Sequence, residues 1–564
     1  MAWRGINRLS AVALRAIVLL LLCVALATPS LAQQVWFGPR SPGTAGGGAE
    51  DWRSLFQPAR PWSDVASRIQ VFMVTAGYVM SAPDADLRAM GADLAARHIG
   101  LAIPVQSIAP VPGEACGHEE GYGPPSDSAR TAARLAALGL PLRYIRLDEP
   151  VWFGHYDQAP QGCRLPVAEV ARRVGLNVQE YARHFPDLIV GTVETVPGAL
   201  GEPDWAANFH AFQQALVADT GKKLTFMHAD VNWRLPHWAT ALKSMAAFAH
   251  SQGLQFGVIY NADNRDTTDA AWVASARQHF DEFESADGLV PEQAVMQTWD
   301  LHPARALPIE SDATLGGLVG QYLLPRTRIE ATRSASGVQG RLVDAAGRPV
   351  VGAQIRVRAI GADPSRPLPV RTVSGIVPPN ARFAVLGMRV NTECACDGAN
   401  DLFVGDLTYA ETAGGSARQS YGLPAEAARL QAGAKGGATI QPVAIGGRPA
   451  AHVVVRPSQK FGFNSPPFPV TPGAHFEYRV PLGAVGDTGL FGAVAMIWMD
   501  ANQHGISRVD ITLPSDRTEV TTVTTGAGGQ FVLPPQAVQA ASGRRLRLEF
   551  DGDGRERGAV AYIG

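Results

Sequence analysis

Carboxylic acids recur just beyond the short apolar runs in the first half of this chain, and most of them stand beside an aromatic ring or an amide. One run closes as Arg146-Leu147-Asp148-Glu149-Pro150 and leads into Trp152 and His155. Later runs close at Glu194, at His228-Ala229-Asp230 with Trp233 close behind, at Tyr260-Asn261 followed by Asp263, and at Trp299. Two carboxyl groups can share the cleavage of a bond between them, the first protonating a leaving oxygen while the second attacks or activates water. Flat aromatic faces beside them stack on sugar rings, so these residue types together point to chemistry at a glycosidic bond. Glu149 is the expected general acid, with Asp230 and Glu194 as candidates for its partner and Asp263 behind them. The expected substrate contacts are Asp148, Trp152, His155, His228, Trp233, Tyr260, Asn261, Asp263 and Trp299. An acid in such a position can also cap the next helix or pair with arginine, so it is the set that speaks for chemistry.

The elements that must position these residues are visible as an alternation. Apolar or β-branched runs at 35–37, 69–74, 99–105, 143–147, 188–193, 224–228, 256–260 and 294–299 are separated by helix-like stretches at 84–96, 128–138, 167–184, 205–218, 236–252 and 268–284. Strand and helix in alternation predict a parallel α/β architecture, and eight units predict a closed (β/α)8 TIM barrel over residues 33–325. No run leads into a G-x-G-x-x-G turn, which argues against an open nucleotide-binding sheet. In a barrel the chemistry sits at the carboxyl ends of the strands, where the acids are. The polar loop after the third run carries Cys116, His118, Glu119, Glu120 and Tyr122 and is expected to overhang the same mouth, with a Cys116–Cys163 bridge tying it to the loop after the fourth run.

Asp148-Glu149-Pro150 resembles the Asn-Glu-Pro that ends the fourth strand in the large clan of retaining (β/α)8 glycoside hydrolases, whose Glu is the acid/base. Trp299 is placed like the sugar-stacking Trp of that clan. The resemblance implies the same role for Glu149. The sequence departs from the pattern at Asp148, where the clan has Asn, and after the seventh run, where Asn261 and Asp263 stand in place of a nucleophilic Glu. The second carboxylate must then be another residue, with Glu194 and Asp230 as the candidates and Asp263 behind them.

Beyond Pro325 short β-rich segments punctuated by Gly, Pro, Asn and Asp replace the alternation, so all-β sandwich domains are expected after the barrel. Residues 337–357 hold two strands around Asp344-Ala345-Ala346-Gly347-Arg348-Pro349 and resemble the start of carboxypeptidase-regulatory-like β-sandwich modules. The Gly-x-Phe-x-Leu-Pro step of that family occurs only at Gly529 to Pro534. A sandwich split into 336–375 and 516–564 is therefore expected, around an insert at 376–515. The insert resembles jelly-roll carbohydrate-binding modules through its Pro-Gly turn, its Tyr478 strand and Trp498-Met499-Asp500, with Trp498 read as core. Asp397, Asn400 and Asp401 offer hard oxygen ligands for a structural calcium ion; no other cofactor and no catalytic metal is expected.

With 564 residues, 49 basic against 51 acidic side chains and 46% hydrophobic residues, the chain is a multidomain globular protein without the charge to wrap nucleic acid. Arg4, Arg8 and Arg15, the apolar run 16–27 and Ser30-Leu31-Ala32 form a signal peptide with cleavage expected after Ala32. The mature chain has no apolar run approaching the roughly 20 residues of a membrane span. In the oxidising compartment this implies, Cys116 with Cys163 and Cys394 with Cys396 are both plausible disulfides. H-E-x-x-H and G-x-S-x-G are absent, so the usual anchors of metalloproteases and serine hydrolases are missing. The expected protein is a periplasmic or secreted monomer that hydrolyses a poly- or oligosaccharide. The alternative is a carbohydrate-binding or envelope protein whose barrel has lost its second carboxylate.

Overall fold

The computed structural model describes residues 33–564 apart from 45–46, 160, 235–237, 263–265, 287, 335–336, 392–399, 412–417, 435–436, 457–458, 486–489, 514–516 and 542–543. The expectations placed on residues 1–32, Asp263, Cys394, Cys396 and Asp397 lie outside the described residues.

Eight parallel strands close into a barrel: β1 (Gln34–Gly38), β2 (Val71–Met73), β3 (Gly100–Val105), β4 (Leu142–Leu147), β5 (Ile189–Val196), β6 (Leu224–Val231), β7 (Gln255–Ile259) and β8 (Gln293–Gln297). β8 returns to β1 with Trp36 opposite Val295. β2 is shorter than the run that announced it. Thr75 accepts a hydrogen bond from the Tyr78 amide and starts a helix, Ala76–Ser81, that ends the extended backbone. Around the strands lie the helices Asp84–Ala96, Pro125–Ala137, Val167–Ala182, Trp205–Thr220, Trp238–Ser251, Asp269–Ala286 and Leu315–Tyr322.

Side chains alternate across each strand. Trp36, Tyr144, Phe226, Ile259 and Val295 fill the barrel interior, while the larger apolar cluster lies between strands and helices. The interior rings fit because glycine stands opposite them: a Cβ on Gly191 would lie 2.2 Å from the Phe226 ring and one on Gly257 2.5 Å from His228 Cδ2.

Four antiparallel sheets follow. Thr327–Ser334 and Gln530–Val532 flank Gly337–Asp344 in one, and Arg517–Thr524, Gln354–Ile360, Leu546–Phe550 and Ala559–Ile563 form the second. Segments on either side of residues 370–513 thus share two sheets and one core, which includes Val338, Ile355, Phe531 and Leu548. The residues between build two sheets of their own around Tyr409, Phe476, Tyr478 and Trp498. Thr327–Ser334, expected within a linker, is a strand, and Val370–Ile376, expected in the outer sandwich, pairs with His475–Ala484 of the inner sheets. Asn400 and Asp401 open the strand Asn400–Val404 rather than a loop, and the Asp401 carboxylate is engaged by His452 Nε2 at 2.5 Å. No helix among the described residues is long and apolar enough to cross a membrane.

Buried charge joins the barrel to the last strands of the chain. The Arg557 guanidinium lies 2.8 Å from Glu284 and 3.3 Å from Asp281, both on the helix Asp269–Ala286, and covers the rings of Phe280 and Tyr322. Arg547 reaches Glu282 on the same helix at 2.6 Å, and the Ser285 hydroxyl accepts from the Val560 amide at 2.8 Å.

Candidate active site

The carboxyl ends of β4, β6 and β8 converge on a group of charges. Tyr144 faces the barrel interior, so Arg146 and Asp148 point the same way from β4, and Phe226, His228 and Asp230 do so from β6. The Arg146 guanidinium crosses the barrel to donate to Gln297 Oε1 at 2.8 Å, and its Nε and Nη1 are buried without a hydrogen-bond acceptor. Among the described residues no carboxylate lies within ion-pair distance of it, yet Asp148, Asp230 and Glu149 all act on it electrostatically. It is a cation sunk beneath a ring of acids.

Glu149 is where the chain turns out of the strand. Its φ is 40°, the left-handed region that residues other than glycine enter at a cost of roughly 1–3 kcal/mol. The turn is fixed on both sides: the Asp148 amide donates to the Val105 carbonyl at 3.0 Å, and the Glu149 carbonyl accepts from the Phe153 amide at 3.0 Å, opening the π-helical turn Trp152–Tyr156. Glu149 is buried. Burial first, and then the negative charges of Asp230, Asp148, Glu194 and Glu120, hold its carboxyl well above the ordinary carboxylate range. Burial also pushes Asp230 up to about 6; there the Arg146 charge pulls down while Asp148 and Glu120 push up. Asp148 stands at about 6 through burial and Glu120, again against Arg146. Burial and like charge thus favour the protonated form most strongly at Glu149, while Arg146 favours the ionised form at Asp148 and Asp230. That is the pairing of acid and base that bond cleavage by protonation requires.

Glu194 does not join them as a base. It lies in register with Ala229 while Thr195 matches Asp230, so it occupies the opposite face of the sheet. There it is fully buried, one oxygen accepting from the Thr192 hydroxyl at 2.8 Å, and burial raises its carboxyl well above the ordinary range. His228 and Tyr260 are likewise removed from the expected substrate contacts. His228 packs inside the barrel between Trp36 and Phe226, donates from Nε2 to Gln293 Oε1 at 2.6 Å and is kept neutral by burial and Arg146. Tyr260 faces the helices, fully buried, its hydroxyl donating to Glu284 at 2.9 Å. His155 is held by both nitrogens, at 2.7 Å from the Leu165 carbonyl and 3.3 Å from the Asn208 amide, and so orders its loop.

Around the mouth, Trp233 donates to Asn261 Oδ1 at 2.6 Å and stacks on His279 with ring centres 4.0 Å apart, which fixes both expected contacts in place. Trp152 is partly buried beside Tyr156. Trp299 is 47% exposed and borders a cavity of about 230 Å³ with Arg40, Ser41, Thr44, Thr75 and Gln297 at the ends of β1, β2 and β8. The loop after β3 reaches the site through Glu120, whose charge is felt by Asp148, Glu149 and Asp230. The Cys116–Cys163 bridge ties it to the loop after β4, with the Cα atoms 5.1 Å apart. In that rim Glu119 and Asp157 meet carboxyl to carboxyl, and burial together with this contact pushes Glu119 up to about 7. Reading the sequence by strand ends missed Arg146 and Gln297 as site residues. The available signal was that Arg146 shares the interior-facing register with Tyr144, whereas Arg143 on the same strand is exposed.

No protein-family model matches the chain, and no curated protein matches it. Among solved structures it is similar to a glucosidase from Croceicoccus marinus, at 10% identity over 80% of this chain and 96% of that one with a TM-score of 0.32. It is also similar to a psychrophilic family 10 endo-β-1,4-xylanase, at 10% identity over 51% and 96% with a TM-score of 0.31, and to a morphinone reductase, at 13% identity over 47% and 82% with a TM-score of 0.27.

Proposed function

We propose that the barrel hydrolyses glycosidic bonds of a polysaccharide, with Glu149 protonating the leaving oxygen and Asp230 as the second carboxylate. The observation that carries this reading is the contrast between them: Glu149 is buried among like charges and holds its proton, whereas Asp230, about 6, is ionised at neutral pH beside Arg146. Arg146 keeps Asp148 and Asp230 charged without forming a close pair that would occupy them. Trp299 at its open cavity supplies the platform for a sugar ring, and Trp152 and the Trp233–Asn261 pair border the same mouth. The disulfide-tied rim keeps the cleft formed before substrate arrives. In this reading the leader at 1–32 sends the protein across the inner membrane, and the two β-modules hold the polymer or space the barrel from it.

The test is reducing-sugar release from a panel of polysaccharides by the mature protein and by Glu149→Gln and Asp230→Asn. Each substitution is expected to lower the rate by about 10²–10⁴-fold with the fold retained. Strand seven presents Asn261, already engaged by Trp233, where a nucleophile would stand in the clan, and this favours a binding protein as the second reading. Capture on insoluble substrates without release of sugar by the unaltered protein would establish that reading and overturn the first.

A further inference from the structure

The opposite end of the barrel carries a second polar cavity. About 620 Å³ opens at the amino ends of the strands, lined by Gln34, Gln255 and Gln293 at its floor and by Arg143, Lys223 and Gln213 on its walls. Among the described residues no carboxylate lines it. Arg143 and Lys223 are exposed, and neither has an ion-pair partner among the described residues; Arg143 rests over the Tyr144 ring at 5.7 Å. Through Gln213 and Gln252 the cavity continues into a shallower one of about 450 Å³ that adds His210 and Gln214.

The polarity of the floor is set from within. His228 donates to Gln293 Oε1, so the Gln293 amide nitrogen is the group turned toward its neighbours. It donates to Gln34 Oε1 and Gln255 Oε1, at 3.1 Å each. Each of the three carbonyl oxygens thus accepts a hydrogen bond, while the amide N–H groups of Gln34 and Gln255 are not spent within this network. A floor of amide donors under two unpaired cations, without an acid among them, is complementary to an oxyanion.

We propose that this bowl is a binding site for an oxyanion, supplied either as free phosphate or sulfate or as the carboxylate of an acidic sugar. Calorimetric titration of the full mature chain at low ionic strength tests it with four probes: inorganic phosphate, sulfate, trigalacturonate and the neutral trisaccharide maltotriose. At least one anion is expected to bind saturably, and at least about tenfold more weakly to the exposed-site double variant Arg143→Gln/Lys223→Gln, because two charge-assisted contacts are lost. Binding is expected to be unchanged in Glu149→Gln, at the other end of the barrel. Tight binding of a free ion or of trigalacturonate alone tells the two sources apart. Failure of all three anions to bind, equal affinity in the double variant, equal affinity for maltotriose, or loss of binding in Glu149→Gln would each overturn the proposal.

Discussion

Burial first, and then the charges around it, favour the protonated form of Glu149, and this has a direction that can be measured. Asp230 must be ionised to serve as a base, so activity should fall as pH drops through about 6; Glu149 must be protonated, so activity should fall again at higher pH once its raised value is passed. The two limbs belong to the group of carboxyls rather than to one residue. Arg146 lowers Asp148 and Asp230, so replacing it with Gln should move the acid limb upward by about one pH unit. An acid limb that stays in place in a pH–rate profile of Arg146→Gln would remove Arg146 from its positioning role. The strand-end positions of Glu149, Asp230 and Trp299 were legible in the sequence because they follow apolar runs and the strand-to-loop transition is a local event. Which way a side chain faces was not so accessible. Glu194 and Tyr260 turn toward the helices, and His228 sits below the mouth, because the closing register of eight strands decides the face and the mutual depth of their residues.

At the level of the elements, the loops after β3 and β4 are the parts that complete the site, and the disulfide between them closes a separation of 47 residues. Removing it in Cys116→Ser/Cys163→Ser should cost about 2–4 kcal/mol. Because Glu120 and the Glu119–Asp157 contact sit in the same rim, the loss should show first as proteolytic nicking within 112–125 and 157–164, ahead of global unfolding. Equal protease resistance of both forms would mean that the rim is held by its other contacts, Arg173 with Glu114 at 2.7 Å among them. The bridge was foreseeable from two lone cysteines in polar loops, once export was expected. The helices were legible as the stretches between the apolar runs: 84–96 was read as helix-like, and Asp84–Ala96 is what forms. The run 69–74 overreached β2 at both ends, and at the far end Val74 is followed directly by Thr75, which caps a helix.

Across the whole molecule, the tie between barrel and sandwich is made of charge taken out of water. Arg557→Ala would take from Asp281 and Glu284 their most buried partner and leave them Arg277 at 3.8 Å and Arg326 at 3.2 Å, a loss of up to about 3–5 kcal/mol. Calorimetry should then resolve separate melting of barrel and β-modules where the unaltered chain melts with the two coupled; an unchanged thermogram would show that the apolar contacts suffice. Nothing in the sequence announced this seam, since Arg547 and Glu282 stand 265 residues apart and neither belongs to a motif. The same seam bears on biogenesis. Tyr260, directly after β7, gives its hydroxyl to Glu284, and Glu284 is neutralised by Arg557. A barrel emerging from the ribosome has the acids of its mouth in place long before the arginine that settles this helix has been translated. The protein's maturation would then be timed by its final strands, with a nascent barrel that carries an exposed acidic helix until the tail folds back onto it.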